Sequence, residues 1–491
     1  MDKFNQLPAI IITLPILIAA IIAILPTTKN GRGLAGFICT TTTFFVFIAA
    51  AILLADVIRF GDKTYAFGGW PPPIGIEYKA TKLTAFMLFL FAGIGYAVSH
   101  FAVTNIESEI KKRQVNLFYS CYLLFLAGVM GMVITNDIFN AYVFIEISSL
   151  TAYALTSLGK DKRAVLSAFN YLIVGTIGGV LFLIGIAFLY SETGSLNYSH
   201  INEILLQKRP DNLTIGAFVF IFTGLAIKCA MFPLCGWLPK AYANAPTTIS
   251  AIISATGTKV ACILIIRIIF EVFGKEFVFD KLDFGQVIII LSICGILYGS
   301  ISAVLQTNYK SVLAYSSIAN IGYITLGIGL ASIDGLTASL VQIANHSIIK
   351  AALFLIVGTA IFGKNSLEGF GKTNPVLAVC FIVLGLSLIG VPFTAGFISK
   401  WYLLSTIFSN GSSLVQFACI SAVALGSISA LIYVLRAYEL MFYHLPSKNY
   451  VVTKFNKSVI VTFTGLSVIY GVYPYQMVKF FQEVAEAIIH G

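Results

Sequence analysis

Residues 225–264 read LAIKCAMFPLCGWLPKAYANAPTTISAIISATGTKVACIL, and this stretch decides the fold. It contains two apolar segments, each with one lysine, Lys228 and Lys259, and Pro233 interrupts the first segment soon after its lysine. A lysine near the centre of a membrane-spanning helix costs roughly 2.5–3.5 kcal/mol even on the lower scales. The stretch therefore predicts membrane-spanning helices whose buried charges have a function.

The composition of the whole chain agrees with a membrane protein. Of the 491 residues, 58% are hydrophobic and 11% are charged, with a mean hydropathy of +0.91, whereas soluble proteins carry about 25% charged residues. These values exclude a soluble catalytic domain. The net charge of +10 comes from basic residues scattered through short loops, which indicates topology signals rather than a nucleic-acid partner.

The cysteines fit the same class of protein. Nearly all of them fall within apolar segments and none forms a CxxC pair, so we interpret them as small core residues, with a disulfide or metal framework as the alternative. The eight positions are Cys39, Cys121, Cys229, Cys235, Cys262, Cys294, Cys380 and Cys419.

Long apolar segments recur along nearly the whole chain. A run of about 18 or more residues crosses a hydrocarbon layer of about 30 Å at 1.5 Å per residue. We predict an all-α integral membrane protein with about 14 transmembrane helices, the first a retained helix rather than a cleaved signal peptide. The helices are expected near residues 8–25, 35–55, 83–103, 117–135, 138–158, 166–190, 213–235, 246–270, 285–305, 311–330, 335–361, 376–402, 413–443 and 456–474.

The loops predict the orientation of these helices. An even number of helices puts both termini on the same side, and the odd-numbered short loops carry more Lys and Arg than the even-numbered loops. The positive-inside rule then places both termini outside.

A repeat is visible within the spans. The tetrapeptide LFLI occurs at 181–184 and again at 353–356, and the same offset of 172 residues carries Lys228 onto Lys400. The offset covers five helices, an odd number, so the second copy enters the membrane with inverted polarity, a common architecture of transporters. The predicted parts are 1–116 (helices 1–3), 117–273 (first repeat, helices 4–8), 274–443 (second, inverted repeat, helices 9–13) and 444–491 (helix 14).

The two predicted helices that contain Lys228 and Lys400 each include residues that interrupt a helix. Pro233 follows Lys228, and Gly390 and Pro392 precede Lys400. Proline has no amide hydrogen to donate, and transporter sites lie in helices that Gly or Pro interrupts. Helices 7 and 12 are therefore predicted to be broken.

Ionisable residues lie well inside the apolar segments, where charges are expensive and mark ion or proton pathways. We take six of them as candidate groups for proton translocation: Glu146, Lys228, Lys259, His346, Lys350 and Lys400. Desolvation favours the neutral form of a lysine and a nearby carboxylate favours the charged form. A Glu/Lys pair followed by lysines and a histidine can therefore hold a proton and pass it along.

Each candidate also has an ordinary structural interpretation. Lys259 and Lys400 snorkel to an interface if the helix ends are displaced by a turn. Glu146 and Lys228 form a static buried ion pair, and His346 is a hydrogen-bonded structural histidine. Asp137, at the start of the fifth span, either caps that helix or gives a cation access to the pathway.

Several stretches together resemble the antiporter-like membrane subunits shared by Mrp-type multisubunit cation/proton antiporters, respiratory complex I and membrane-bound hydrogenases. The resemblance covers nearly the whole chain and implies that Glu146 and the lysines above occupy the family's functional positions. The stretches are NDIFNAYVFIEISSLTAYAL (136–155), residues 225–264, QTNYKSVLAYSSIANIGY (306–323), HSIIKAALFL (346–355) and GVPFTAGFISKWYLL (390–404).

Within this family the D-type membrane component of Mrp antiporters is the best fit. GGWPPPIGIEY (68–78) is similar to a segment of that component, and Lys400, where a glutamate would stand, argues against the M-type component of complex I. The resemblance implies partner subunits of a hetero-oligomeric membrane antiporter complex, with protons and Na+ or a similar monovalent cation as substrates. The alternative is a proton-pumping N-, M- or L-like subunit of NADH-quinone oxidoreductase. No cofactor motif is present, so redox chemistry would belong to partners.

Overall fold

The computed structural model describes residues 6–208, 211–361, 367–409, 413–445 and 454–490. Within these ranges the regular structure is helical apart from one hairpin, in which β1 (Lys63–Ala66) pairs antiparallel with β2 (Glu77–Ala80). The predicted all-α membrane fold is confirmed.

Two compact units divide the chain, Met1–Cys229 with Thr256–Leu282, and Ala230–Ala255 with Asp283–Gly491. The helices of the first unit are α1 (Leu7–Ile24), α2 (Lys29–Phe60), α3 (Lys82–Glu109), α4 (Val115–Ile134), α5 (Ile138–Ser157), α6 (Lys162–Thr193), α7 (Tyr198–Gln207), α8 (Asn212–Cys229) and α11 (Thr258–Arg267), with π-helical turns at Ile268–Phe273 and Glu276–Lys281. In this unit α2 packs on α3, α4 packs on α1 and α5, and α6 packs on α5 and α8.

The helices of the second unit are α9 (Leu238–Asn244), α10 (Thr247–Ile252), α12 (Phe284–Leu305), α13 (Tyr309–Gly329), α14 (Ile333–Ile361), α15 (Phe370–Thr373), α16 (Pro375–Ile389), α17 (Ala395–Ser409), α18 (Ser413–Tyr443), α19 (Lys454–Val472) and α20 (Tyr475–His490). The unit is organised around α14, which packs against α10, α13, α16, α17, α19 and α20.

The number of long, unbroken apolar helices is slightly smaller than the 14 spans predicted. Among the described residues, 12 helices are long and apolar enough to cross a membrane, and the bent pair α19 and α20 makes 13 if it counts as one span. The predicted 14 also include helix 12, which was expected to be broken and is not one long helix. The predicted helix 376–402 is divided into α16 and α17, each 15 residues long, about 22 Å at 1.5 Å per residue and too short to span the layer alone.

The predicted breaks in helices 7 and 12 are confirmed. The first helix ends at Cys229, one residue after Lys228, and the second stops at Ile389 and resumes at Ala395. Each break contains a non-glycine residue in the left-handed backbone region, Ala230 (φ 60°) and Phe393 (φ 67°). Such conformations are uncommon and cluster at functional sites.

The described spans differ in how much of their apolar segment is buried. In the apolar 18-residue segment of each span, 94% of the residues are buried in α13 and all are buried in α14. The corresponding share is 39% in α1, α6, α12 and α18. The exposed positions of the less buried helices are largely Leu, Ile, Val and Phe, as expected for surfaces in contact with lipid tails. The candidate groups His346 and Lys350 therefore lie on a helix that, among the described spans, is the most deeply buried.

Candidate functional site

Glu146 of α5 and Lys228 of α8 lie together in the first unit. Nζ of Lys228 is 3.7 Å from Oε1 of Glu146 and donates hydrogen bonds to Oγ of Ser149 at 2.8 Å and to the hydroxyl of Tyr153 at 3.4 Å. Glu146, Ser149 and Tyr153 follow one another at helical spacings of three and four residues, so α5 presents them on one face. The lysine therefore has one acidic partner and two hydroxyl partners.

Glycines of α6 make room for this group. A Cβ added at Gly179 would lie 2.2 Å from Oε1 of Glu146, and one at Gly175 would lie 1.9 Å from the Tyr153 hydroxyl oxygen. Gly178 allows α6 to approach Ile227, the residue before Lys228. Small residues allow membrane helices to pack closely, and here they admit polar side chains between the helices.

A small cavity of about 30 Å³ adjoins Lys228. Its wall includes Ser149, Tyr171, Lys228, and both Gly257 and Val260 from the segment that carries Lys259. A volume of about 10–15 Å³ is enough for one water, provided polar partners are available. The cavity is thus large enough for one or two waters between Lys228 and the segment around Lys259.

Lys259 is fully buried in α11, where Nζ lies 3.3 Å from Oγ1 of Thr258. A π-helical turn at Ile253–Gly257 directly precedes this helix. Wide turns of this kind are frequent at functional sites. Since the Lys259 side chain has no exposed surface, the geometry argues against snorkelling to an interface.

His346 and Lys350 lie four residues apart on α14 of the second unit, and both side chains are fully buried. Nζ of Lys350 donates to the Leu313 carbonyl at 2.7 Å and to Oγ of Ser316 at 2.5 Å, both on α13. Neutral oxygens of the neighbouring helix therefore accept hydrogen bonds from this lysine.

Lys400 lies at the second break. Its Nζ donates to the carbonyls of Leu388 and Ile389, at 3.0 and 2.9 Å, and to Oγ of Ser427 at 2.9 Å. These carbonyls belong to the last turn of α16, where helical hydrogen bonding leaves oxygens without partners. The ammonium group also lies 4.9 Å from the centre of the Tyr323 ring. Lys400 is 7% exposed and so faces protein rather than an interface.

Asp137 has the capping role that the sequence left open. Its side chain accepts a hydrogen bond from the Asn140 amide at 2.6 Å and caps α5. In the described part of the chain no cluster of three or more His, Cys, Asp or Glu side chains has metal-binding geometry. Access of a cation at Asp137 stays a prediction.

Arg267 is a buried charged residue that sequence reasoning missed. Its guanidinium donates to the carbonyls of Val133 and Thr135, at 3.0 and 2.6 Å, and to the Glu271 carboxylate at 2.8 Å. It lies 4.8 Å from the centre of the Tyr198 ring. Arginine stays protonated in proteins, so Arg267 fixes the end of α4 rather than carrying a proton. The signal was present, since Arg267 interrupts the apolar run CILIIRIIF.

A family model supports the assignment suggested by these features. The model described as "NADH:quinone oxidoreductase/Mrp antiporter, TM" matches residues 135–426, which include all six candidate groups and both helix breaks. The chain belongs to this family. It is 35% identical to the N-type subunit of NADH-quinone oxidoreductase from Desulforudis audaxviator over 445 residues, 88% of this chain and 86% of the relative.

Other relatives are antiporter components. The D-type component of the Na(+)/H(+) antiporter from Alkalihalophilus pseudofirmus is 32% identical over 374 residues, 75% of this chain and 74% of the relative. Among solved structures, a chain of the Mrp complex from a Dietzia species superimposes with a TM-score of 0.87 at 22% identity, covering 100% of this chain and 98% of that chain. That structural likeness establishes the shared fold.

Proposed function

We propose that this chain is the proton-translocating membrane subunit of a multisubunit antiporter that exchanges protons for a monovalent cation, Na+ being the first candidate. The observation that carries the proposal is the pair of Glu146 and Lys228, 3.7 Å apart beside a helix break. A carboxylate at that distance stabilises the charged lysine, and its removal favours the neutral form. The pair can therefore take up and release a proton as its geometry changes.

The other candidate groups extend the route within each unit. In the first unit, the cavity at Lys228 gives waters a place on the way to the segment of Lys259. In the second unit, His346 and Lys350 lie on α14, and Lys400 lies at the break between α16 and α17. We assign all six groups to proton translocation, with no cofactor in this chain.

The relatives support an assembly. The Alkalihalophilus pseudofirmus protein is a component of an Na+/H+ antiporter and the Dietzia protein is part of an Mrp complex. We propose the same setting here, a hetero-oligomeric complex in a bacterial inner membrane. The inverted repeats (117–273 and 274–443) and the outward position of both termini belong to the same proposal.

A second function has one observation in its favour, the 35% identity to the N-type subunit of an NADH-quinone oxidoreductase. In that setting the same groups would move protons when partner subunits reduce quinone. The two functions differ in what drives the proton. An antiporter responds to a cation gradient alone, whereas a respiratory subunit requires a reductant.

The test uses membrane vesicles containing the complete complex and a pH-sensitive dye. Addition of Na+ should dissipate an imposed pH gradient without any reductant, and Lys228→Ala should abolish this response at unchanged membrane abundance. Lys112→Ala, at an exposed lysine, is the matched control and should transport normally. Dissipation that requires NADH and quinone favours the respiratory assignment. A wild-type rate in Lys228→Ala contradicts both.

A further inference from the structure

A chain of buried polar side chains connects Ser316, a hydrogen-bond partner of Lys350, to helix α17 in the second unit. Lys350 donates to the hydroxyl of Ser316, and Asn320 donates its Nδ2 to the Ser316 carbonyl at 2.7 Å. Gln342 donates its Nε2 to Oδ1 of Asn320 at 2.6 Å. The hydroxyl of Ser399 donates to Oε1 of Gln342. The serines and amides in this chain are at most 6% exposed.

The direction of this chain follows from the backbone carbonyl of Ser316, which accepts the hydrogen bond from Asn320. The Ser316 carbonyl only accepts hydrogen bonds, so the amide group of Asn320 must point its NH2 towards it. The Asn320 oxygen then faces Gln342, which must donate its own NH2. The remaining oxygen of Gln342 accepts from Ser399. One backbone carbonyl thereby fixes the orientation of both amides, and no alternative flip satisfies the chain.

A carboxamide has no proton to exchange near neutral pH, so this chain cannot carry protons as a titrating relay. Its contribution is geometric and electrostatic. Ser399 precedes Lys400 in α17, whereas Ser316 is a direct partner of Lys350. The amides therefore tie the broken helix that bears one lysine to the site of the other.

We infer that Asn320 and Gln342 are positioning residues of the proton route, which hold Lys350 and Lys400 in a fixed relation through one oriented hydrogen-bond chain between Ser316 and Ser399. This inference rests on the proposed function. Both amide dipoles point the same way, with NH2 groups towards Ser316 and oxygens towards Ser399. A positive charge is better stabilised at the Ser399 end, so the chain favours movement of a proton towards α17.

The test replaces Gln342 in the complete complex and measures Na+-driven proton movement across a range of pH. Gln342→Leu removes the chain at every pH, and the maximal rate should fall at least about fivefold. Gln342→Glu keeps the length and, when protonated, can both donate to Asn320 and accept from Ser399. Its rate should therefore approach that of the wild type at low pH and fall as the carboxyl group ionises.

A matched control separates this role from helix packing. Ser339 also joins α14 to α13, because its hydroxyl donates to the Ile324 carbonyl at 2.7 Å, but it lies outside the chain. Ser339→Ala should leave the rate and the pH profile unchanged. An effect of Ser339→Ala equal to that of Gln342→Leu overturns the inference, and so does a pH profile of Gln342→Glu that parallels that of the wild type or of Gln342→Leu.

Lys228→Ala in the same preparation distinguishes a failure of the positioning role from a failure of the proposed function. If Lys228→Ala is inactive while Gln342→Leu transports like the wild type, the positioning role is wrong and the proposed function stands. If Lys228→Ala is fully active, the proposed function fails, and the inference fails with it. Membrane abundance is measured for each variant, and Gln342→Glu provides the decisive pH profile if Gln342→Leu does not assemble.

Discussion

Gly179 of α6 faces the carboxylate of Glu146 so closely that a Cβ at Gly179 would lie 2.2 Å from Oε1. A contact that short does not exist between real atoms, so the carboxylate must move when the glycine is replaced. The observed position of the Glu146 carboxylate thus requires a residue without a side chain at position 179.

Gly179→Ala should therefore reduce transport without altering any titratable group. Its methyl group forces the Glu146 carboxylate out of its present position beside Lys228, and misplacement of a reacting group by about 1 Å can cost roughly a hundredfold in rate. We expect a fall of at least roughly tenfold in Na+-driven proton movement by vesicles. The control is Gly216→Ala on α8, where the added Cβ would meet only Phe188, at 3.6 Å. Equal rates in the two variants would show that the carboxylate position does not matter.

Glu146→Gln tests the charge at the same place. Glutamine keeps the shape but leaves Lys228 without an acidic partner, and a lysine away from water then tends to lose its proton. We expect near-complete loss of antiport with normal membrane abundance, measured by quantitative immunoblot beside the transport assay. Parallel losses of abundance and activity would instead identify a static ion pair that supports folding.

The helix breaks could be predicted from the sequence, but the arrangement at the first break could not. Pro233, Gly390 and Pro392 are local signals, because proline removes a hydrogen-bond donor and glycine permits a positive φ. The 3.7 Å separation of Glu146 and Lys228 depends on how closely three helices pack. The glycine sequence GTIGG at 175–179 was a visible sign of close packing, but its partners are distant in sequence.

The contact between Asn320 and Gln342 could not be predicted, because it depends on how α13 and α14 are rotated about their axes. The two residues are uncharged and 22 residues apart, and the hydrophobic periodicity of the sequence does not show that their side chains meet. The slight difference in span count has another cause, since Gly390 and Pro392 predicted the break in helix 12 but not that α16 and α17 would each be only 15 residues long. Arg267, in contrast, could have been predicted as a buried charge, because like the lysines it lies within an apolar segment.

His346→Ala should change the pH dependence of transport. The ordinary pKa of histidine is about 6.5, so this side chain changes its charge near neutral pH. A histidine that participates in the route should therefore affect the rate most over the range in which its protonation changes. We expect slower Na+-driven proton movement with an altered pH profile in vesicles assayed from acidic to alkaline pH. The same profile at a uniformly lower rate would point to a structural histidine.

Lys400→Arg tests whether the lysine at the second break releases its proton. Arginine keeps the positive charge but does not deprotonate in proteins, so it should block proton transfer about as fully as Lys400→Ala. The carbonyls of Leu388 and Ile389, which accept hydrogen bonds from Lys400, can still accept from a guanidinium group, and membrane abundance should be retained. The control is Lys372→Arg at an exposed lysine, which should transport normally. Transport at the wild-type rate in Lys400→Arg would show that Lys400 is a fixed charge that stabilises the end of α16, because a group that never releases its proton cannot be a step in the route.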